Sequence, residues 1–286
     1  RDFNRVSALG YALGYFGGGL LFAACVLLTL QPKWFGFSDT VEAVRWSFAL
    51  TAVWWAVFSL PLWLWVRERH GTQARYSAIA PLLRQSWQQL WGTLWRIRQL
   101  QAVWLFLLAY WFYIDAVDTV ILMAVDYGKA LGFGTEHLIQ ALLITQFVAF
   151  PAALGFGWLG NRLGEKRGIL LGLAGYVLIT LLAARMSQVE EFYLLDGAVG
   201  LVQGGVQALS RSWYASLIPV EQAAEFFGFY NMLGKFAAIL GPLLVGWVGV
   251  LTGSPRAGLL AILLLFGVGA WLLWRVPSRP RAREGV

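Results

Sequence analysis

Apolar residues in this chain come in runs of about twenty, parted by short polar stretches. A run of that length, coiled as a helix, matches the roughly 30 Å hydrocarbon core of a bilayer. Eight such spans can be drawn, near 6–30, 45–66, 102–124, 135–160, 168–184, 191–212, 225–250 and 257–274. A membrane barrel would show segments of about ten residues with alternating character, and these runs do not alternate. The pattern therefore predicts an all-α polytopic membrane protein with about eight transmembrane helices. A polar stretch at 67–101 separates residues 1–66, with two spans, from 102–276, with six, and a basic tail follows at 277–286.

That polar stretch carries a pattern of its own. Pro81 suits the first turn of a helix, and Leu83, Trp87, Leu90, Trp91, Leu94 and Trp95 fall on one face. Arg84, Gln88, Gln89, Arg96 and Gln99 take the others. Such a helix either lies flat among lipid headgroups or packs its Trp-rich face on the spans.

Composition sharpens the class. The 286 residues are 59% hydrophobic and only 13% charged, against about 25% charged in a soluble domain. The net charge of +7 does not point to nucleic acid, because the basic residues sit in segments between spans, where they orient a membrane protein. Sixteen Lys and Arg fall on the side holding both termini and the 67–101 segment, against five on the other. That asymmetry predicts that both termini and the 67–101 segment are cytoplasmic. Cys25, the one cysteine, lies inside a span, which excludes an intrachain disulfide and a thiolate metal site. The first residue is Arg1, opening a charged stub before a span, so the natural protein is expected to begin earlier.

Ionisable groups inside spans are costly, and each is a site hypothesis by default. Asp115 and Asp118 share one face of the third span. Asp196, Gln203, Gln207 and Arg211 recur as one stripe along the sixth. Asn231 and Lys235 stand four apart on the seventh, and Gly241-Pro242 is expected to bend that helix. Two readings stay open. Lys235 and one acid neutralise each other as an inter-helix pair, or Asp115, Asp118, Asp196, Gln203, Gln207, Asn231 and Lys235 line a polar pathway for substrate or a coupling ion. His70 and His137 fall in separate loops, so no metal or cofactor site is expected.

The hairpin between the fourth and fifth spans is glycine-rich and basic, with Gly157, Asn161, Arg162, Gly164, Lys166 and Arg167 in order. It is either a structural turn or a motif. Its spacing resembles the loop motif of the major facilitator superfamily, in which Gly, three residues, Asp, a basic residue, one residue, Gly, one residue and two basics follow one another. Asn161 stands where that pattern has Asp, so the negative partner is missing at that position.

Further stretches resemble the vacuolar, autophagy-related amino-acid effluxer-like branch of that superfamily. They run from Ser7 to Gly19, Tyr113 to Thr119, Gly200 to Ser212 and Glu225 to Tyr230, with Gly234 to Phe236 and Gly241-Pro242 beyond. The resemblance implies a twelve-span bundle of two six-helix halves, of which this chain would hold spans five to twelve. It also implies a secondary transporter exporting amino acids or similar metabolites by alternating access. From their polarity and position, Asp115 or Asp118 is expected to take up a coupling proton, Lys235 to hold the opposite charge, and Gln203, Gln207 and Asn231 to meet substrate.

Two other classes stand beside the transporter. Asp115 and Asp118 have the spacing of carboxylates that hold Mg²⁺ on a diphosphate, as in intramembrane prenyltransferases. Such a site needs a second acidic cluster on another helix, and Asp196 is alone. A non-transporting membrane scaffold is the third. The expectation adopted is a transporter, not an enzyme.

Overall fold

The structure, a computed structural model, describes residues 2–66 and 79–277. Arg67, Arg69, His70 and Arg75, the Leu83 and Arg84 side chains, and the tail arginines at 279–283 lie outside the described residues. Among those described, the chain is wholly helical: α1 (Asp2–Leu30), α2 (Thr40–Trp65), α3 (Ile79–Gln99), α4 (Gln101–Ala130), α5 (Thr135–Leu163), α6 (Glu165–Ala183), α7 (Val189–Leu217), α8 (Ala223–Ala237), α9 (Leu240–Thr252) and α10 (Pro255–Arg275). Six single helices and the segment Val220–Thr252 are long and apolar enough to cross a membrane. The exception among the expected spans is α7. Its 29 residues extend about 43 Å at 1.5 Å per residue, but its polar stripe keeps its hydropathy low.

The chain divides into two compact units, Phe16–Trp91 and Arg1–Tyr15 with Gly92–Val286. In the first, the connection after α1 is a short 3-10 turn closed by Gly36 in the left-handed region, φ 80°. Asp39 then caps α2 by accepting from the Glu42 amide at 2.7 Å, and Glu42 reaches back to the Ser38 amide at 2.8 Å. This reciprocal capping satisfies two amides at the helix start. Along α2, Phe48, Trp55 and Trp63 are exposed, as suits a lipid-facing span.

The second unit is built on α4 and α7. An aromatic stack joins them to α8: Tyr110 lies 4.3 Å from Tyr230, Tyr230 5.0 Å from Tyr214, and Tyr214 5.6 Å from Phe106, centroid to centroid. Glycine sits at both crossings with α7: on α7 itself where it meets α5, and on α6, where methyl groups at Gly168 and Gly172 would lie 2.5 Å from Leu209 and closer still to Val206, respectively. A methyl group at Gly200 would lie 2.6 Å from the Thr145 carbonyl, and one at Gly204 would meet Tyr15, Ala149 and Ala153.

The end of α3 belongs to this unit. Thr93 and Ile97 are buried, and Arg96 pairs with Glu225 at 2.7 Å, where the Thr93 hydroxyl also donates. Trp87, Trp91 and Trp95 stay exposed. The segment that packs is therefore the last two turns of α3, through a Thr-Ile face and not through the tryptophans. Glu225 opens α8, but its carboxylate is engaged by Arg96 as well as by the helix dipole.

The expected bend in the seventh span is a full break. Helix α8 stops at Ala237 and α9 starts at Leu240, one turn ahead of Pro242. A proline has no amide to donate, so it is tolerated in a first turn and disruptive further in. The break converts Pro242 from an interior residue into a first-turn residue.

Candidate functional site

Helix α7 brings its polar stripe against the first half of α1. The two run antiparallel, and their contacts descend in step. Ser212 donates to the Asn4 carboxamide oxygen, Ser7 donates to the Ala208 carbonyl at 2.7 Å, and Tyr15 donates to Gln207 Oε1 at 2.9 Å. Between these helices, α5 and the start of α8, lies a cavity of about 850 Å³. Gln203, Gln207 and Arg211 of α7 face Ser7, Tyr11 and Tyr15 of α1 across it, with Gln146 of α5 and Phe227 of α8 on the remaining walls. The Arg211 guanidinium lies 5.7 Å from the Phe227 ring. Buried Gln203 keeps its Oε1 without a hydrogen-bond partner.

The expected site residues divide into three groups. Gln203 and Gln207 line this cavity. Asp118 interacts electrostatically with Lys235 and with Asp115, while Tyr11 interacts with both Asp118 and Arg211. Lys235 and Asn231 are exposed on α8 and are not among the cavity-lining residues. Asp118 and Lys235 form no ion pair; among the described residues the ion pair is Arg96 with Glu225.

Asp115 and Asp196 stand elsewhere. Fully buried Asp115 accepts from the Gly241 amide at 2.9 Å and the Leu240 amide at 3.1 Å. It caps α9 from a neighbouring helix. Asp196, also buried, borders a separate small cavity with Met123, Tyr127, Met186 and Phe192, and its Oδ2 has no partner. Its shared stripe with Gln203 does not bring the two to one cavity, because α7 changes neighbours along its length.

The hairpin is a packing device as well as a charged turn. Gly164 turns it with φ 89°. A methyl group at Gly157 would lie 2.6 Å from Ala8 Cβ, so this glycine lets α1 reach α5. Asn4 donates to Asn161 Oδ1 at 3.0 Å and to Glu165 Oε1 at 2.8 Å. Lys166 donates to the carbonyls of Trp274 and Val276 at 2.6 and 2.8 Å, closing the end of α10. Arg162 lies 4.0 Å over the Trp158 ring, a favourable cation–π geometry. Asn4 thus links position 161 to the carboxylate of Glu165, four residues on.

Three cavity residues were not singled out from the sequence as a site: Tyr11, Tyr15 and Arg211. Arg211 reads there as a cytoplasmic charge. The signal was present in α1, where Asn4, Ser7, Tyr11 and Tyr15 recur three to four apart and so share one helix face.

Long apolar helices, a broken span and a polar cavity between helices define a polytopic membrane protein of the major facilitator type. Residues 1–285 match the family described as "Vacuole effluxer Atg22 like", and the chain belongs to that family. Among its relatives is the "Uncharacterized MFS-type transporter YxiO" of Bacillus subtilis (strain 168), 40% identical over 277 residues, covering 96% of this chain and 64% of that protein. "Autophagy-related protein 22" of Gibberella zeae is 28% identical, covering 99% of this chain and 46% of that protein. The protein of the same name from Coccidioides immitis is 29% identical, covering 99% and 51%. The chain spans about half to two thirds of the length of these relatives. This is a transporter family and not an enzyme family. Among the described residues no cluster of His, Cys, Asp or Glu is arranged to hold a metal ion, and the Asp115 carboxylate is engaged by backbone amides.

Proposed function

We propose that this chain forms the greater part of a secondary carrier that exports small metabolites, amino acids among them, by alternating access. The observation that carries the reading is the cavity walled by Ser7, Tyr11 and Tyr15 on one helix and Gln203, Gln207 and Arg211 on another. Carriers of this kind hold substrate near the bilayer midplane at the interface between helix bundles. The similarity to an MFS-type transporter and to a vacuole effluxer family supports the same assignment. In this reading the chain supplies spans five to twelve, with 67–101 between the halves, and resides in a bacterial cytoplasmic membrane with both termini in the cytoplasm. Asp118 takes the coupling proton, Lys235 sets its charge environment, and Asp115 serves the fold.

The test is solute flux in proteoliposomes carrying the purified protein. Gln207→Ala, which removes the partner of Tyr15, is expected to slow gradient-driven flux of the transported solute at least ten-fold while leaving the unfolding temperature within about a degree. Unchanged flux in this variant and in Gln203→Ala would remove the cavity from the pathway.

A further inference from the structure

The polar wall of the cavity is not uniform, and its direction says what it holds. At one end Arg211 contributes a guanidinium, a planar fork of five donors and no acceptor. The Phe227 ring lies 5.7 Å from it. Among the described residues no carboxylate lies within ion-pair distance of it. One turn along α7, Gln207 has its Oε1 engaged by the Tyr15 hydroxyl, which leaves the amide donors as what it can offer a ligand. One turn further, Gln203 lines the same cavity, while its Oε1 is closed off from solvent and has no donor. The stripe thus runs from a cation to two neutral amide side chains, over about 12 Å at 1.5 Å per residue.

Building on the carrier reading above, we propose that Arg211 is the anchor for a carboxylate on the transported solute. The matching solute has its carboxylate at Arg211 and an apolar or aromatic body against Tyr11, Tyr15 and Phe227. A charged group on the wall of a membrane cavity is retained where it meets a partner of opposite sign, and the guanidinium fork fits a carboxylate through two parallel hydrogen bonds. One guanidinium matches one negative charge, which favours a carboxylate over a doubly charged phosphate monoester. Lysine at this position would keep the charge and lose the fork.

The proposal is tested by equilibrium binding to the purified protein in detergent, using three probes of one shape and different charge: 3-phenylpropanoate, 3-phenylpropanamide and 3-phenylpropylamine. The acid is expected to bind at least ten-fold more tightly than the amide or the amine. Arg211→Gln is expected to bring the acid down to the level of the amide, and Arg211→Lys to retain part of the preference. If Arg211→Gln does not fold, Arg211→Lys decides by a preference reduced several-fold from wild type. Equal binding of acid and amide, tighter binding of the amine, binding of none of the three, or a full acid preference in Arg211→Gln or Arg211→Lys overturns the proposal. Gradient-driven flux alongside any of these results would leave the carrier reading standing without the anion anchor. Tight binding of the acid with no flux of any solute would do the reverse.

Discussion

Asp115 of α4 and Gly241 of α9 are joined by a hydrogen bond of 2.9 Å between helices 126 residues apart in the chain. The bond completes the accounting of the four amides at the start of α9. Leu240 and Gly241 donate to the two carboxylate oxygens of Asp115. Pro242 has no amide, and Leu243 donates to the Ile239 carbonyl at 3.3 Å. A helix that begins in the middle of a span has no water to satisfy its first turn. Here a neighbouring carboxylate does so, and its negative charge also complements the helix dipole.

Asp115→Ala is therefore expected to destabilise the protein by about 1–3 kcal/mol, the usual cost of leaving buried donors unsatisfied. Asp115→Asn keeps an acceptor oxygen and should lose less. Thermal unfolding in detergent measures both; an Asp115→Ala midpoint equal to wild type would mean that α9 finds its cap elsewhere.

Gly241 is required by the same contact. A methyl group there would lie 2.9 Å from Asp115 Oδ1 and closer still to the Thr119 hydroxyl. Gly246, on the same helix, has open space around the equivalent position. Gly241→Ala should lower the unfolding temperature, whereas Gly246→Ala should hold or raise it, since alanine exceeds glycine in helix propensity by up to about 1 kcal/mol. A reversed order would show that the α4–α9 contact does not limit stability.

The spans were legible because each needs about twenty apolar residues, and that demand acts on every position locally. The break after Ala237 was only half legible: Gly241-Pro242 marked it, but its place depends on Asp115, which lies on another helix. The stripe of Gln203 and Gln207 was legible from spacing. Its extension to Asp196 was not, because sequence spacing records direction around a helix and not which neighbours lie at each level. Arg211 was legible as part of the stripe but not as a cavity residue, since a basic residue near a helix end looks alike whether it faces cytoplasm or a cavity. The hairpin shows the same gap, because the link between Asn161 and Glu165 runs through Asn4 on another helix.

Asn161→Asp, the change that would restore the superfamily pattern, is expected to destabilise this protein. Asn4 donates to both 161 and 165, so a carboxylate at 161 would stand one shared donor away from that of Glu165. Like charges so placed repel by on the order of 1 kcal/mol or more. The combination Asn161→Asp with Glu165→Gln should restore stability. Unfolding temperatures of the single and double variants decide the matter; a neutral or stabilising Asn161→Asp would show that the two positions are not coupled.

The Arg96–Glu225 pair is close, at 2.7 Å, but partly exposed. Exposed pairs are worth about 0.2–1 kcal/mol and weaken with salt. A double-mutant cycle through Arg96→Ala and Glu225→Ala should therefore give a coupling of under about 1 kcal/mol that falls between 50 mM and 500 mM NaCl. A larger coupling, insensitive to salt, would mean that Thr93, whose hydroxyl is buried and shared with Glu225, shields the pair from water.

Asp118 and Lys235 provide the sharpest test of how the carrier is driven. Their charges interact without an ion pair among the described residues, so either can change state without breaking a direct contact. If Asp118 carries the coupling proton, Asp118→Asn fixes it in the equivalent of its protonated form. Flux driven by a pH gradient should then fall at least ten-fold, while exchange of solute across the membrane without a gradient continues, since exchange needs no net proton movement. Lys235→Gln removes a charge that interacts with Asp118, so the pH dependence of net flux should differ from wild type. Loss of exchange and net flux together in Asp118→Asn, with the protein still folded, would place Asp118 in the substrate path instead. A Lys235→Gln profile identical to wild type would separate the two residues functionally, leaving Asp118 to titrate under other charges.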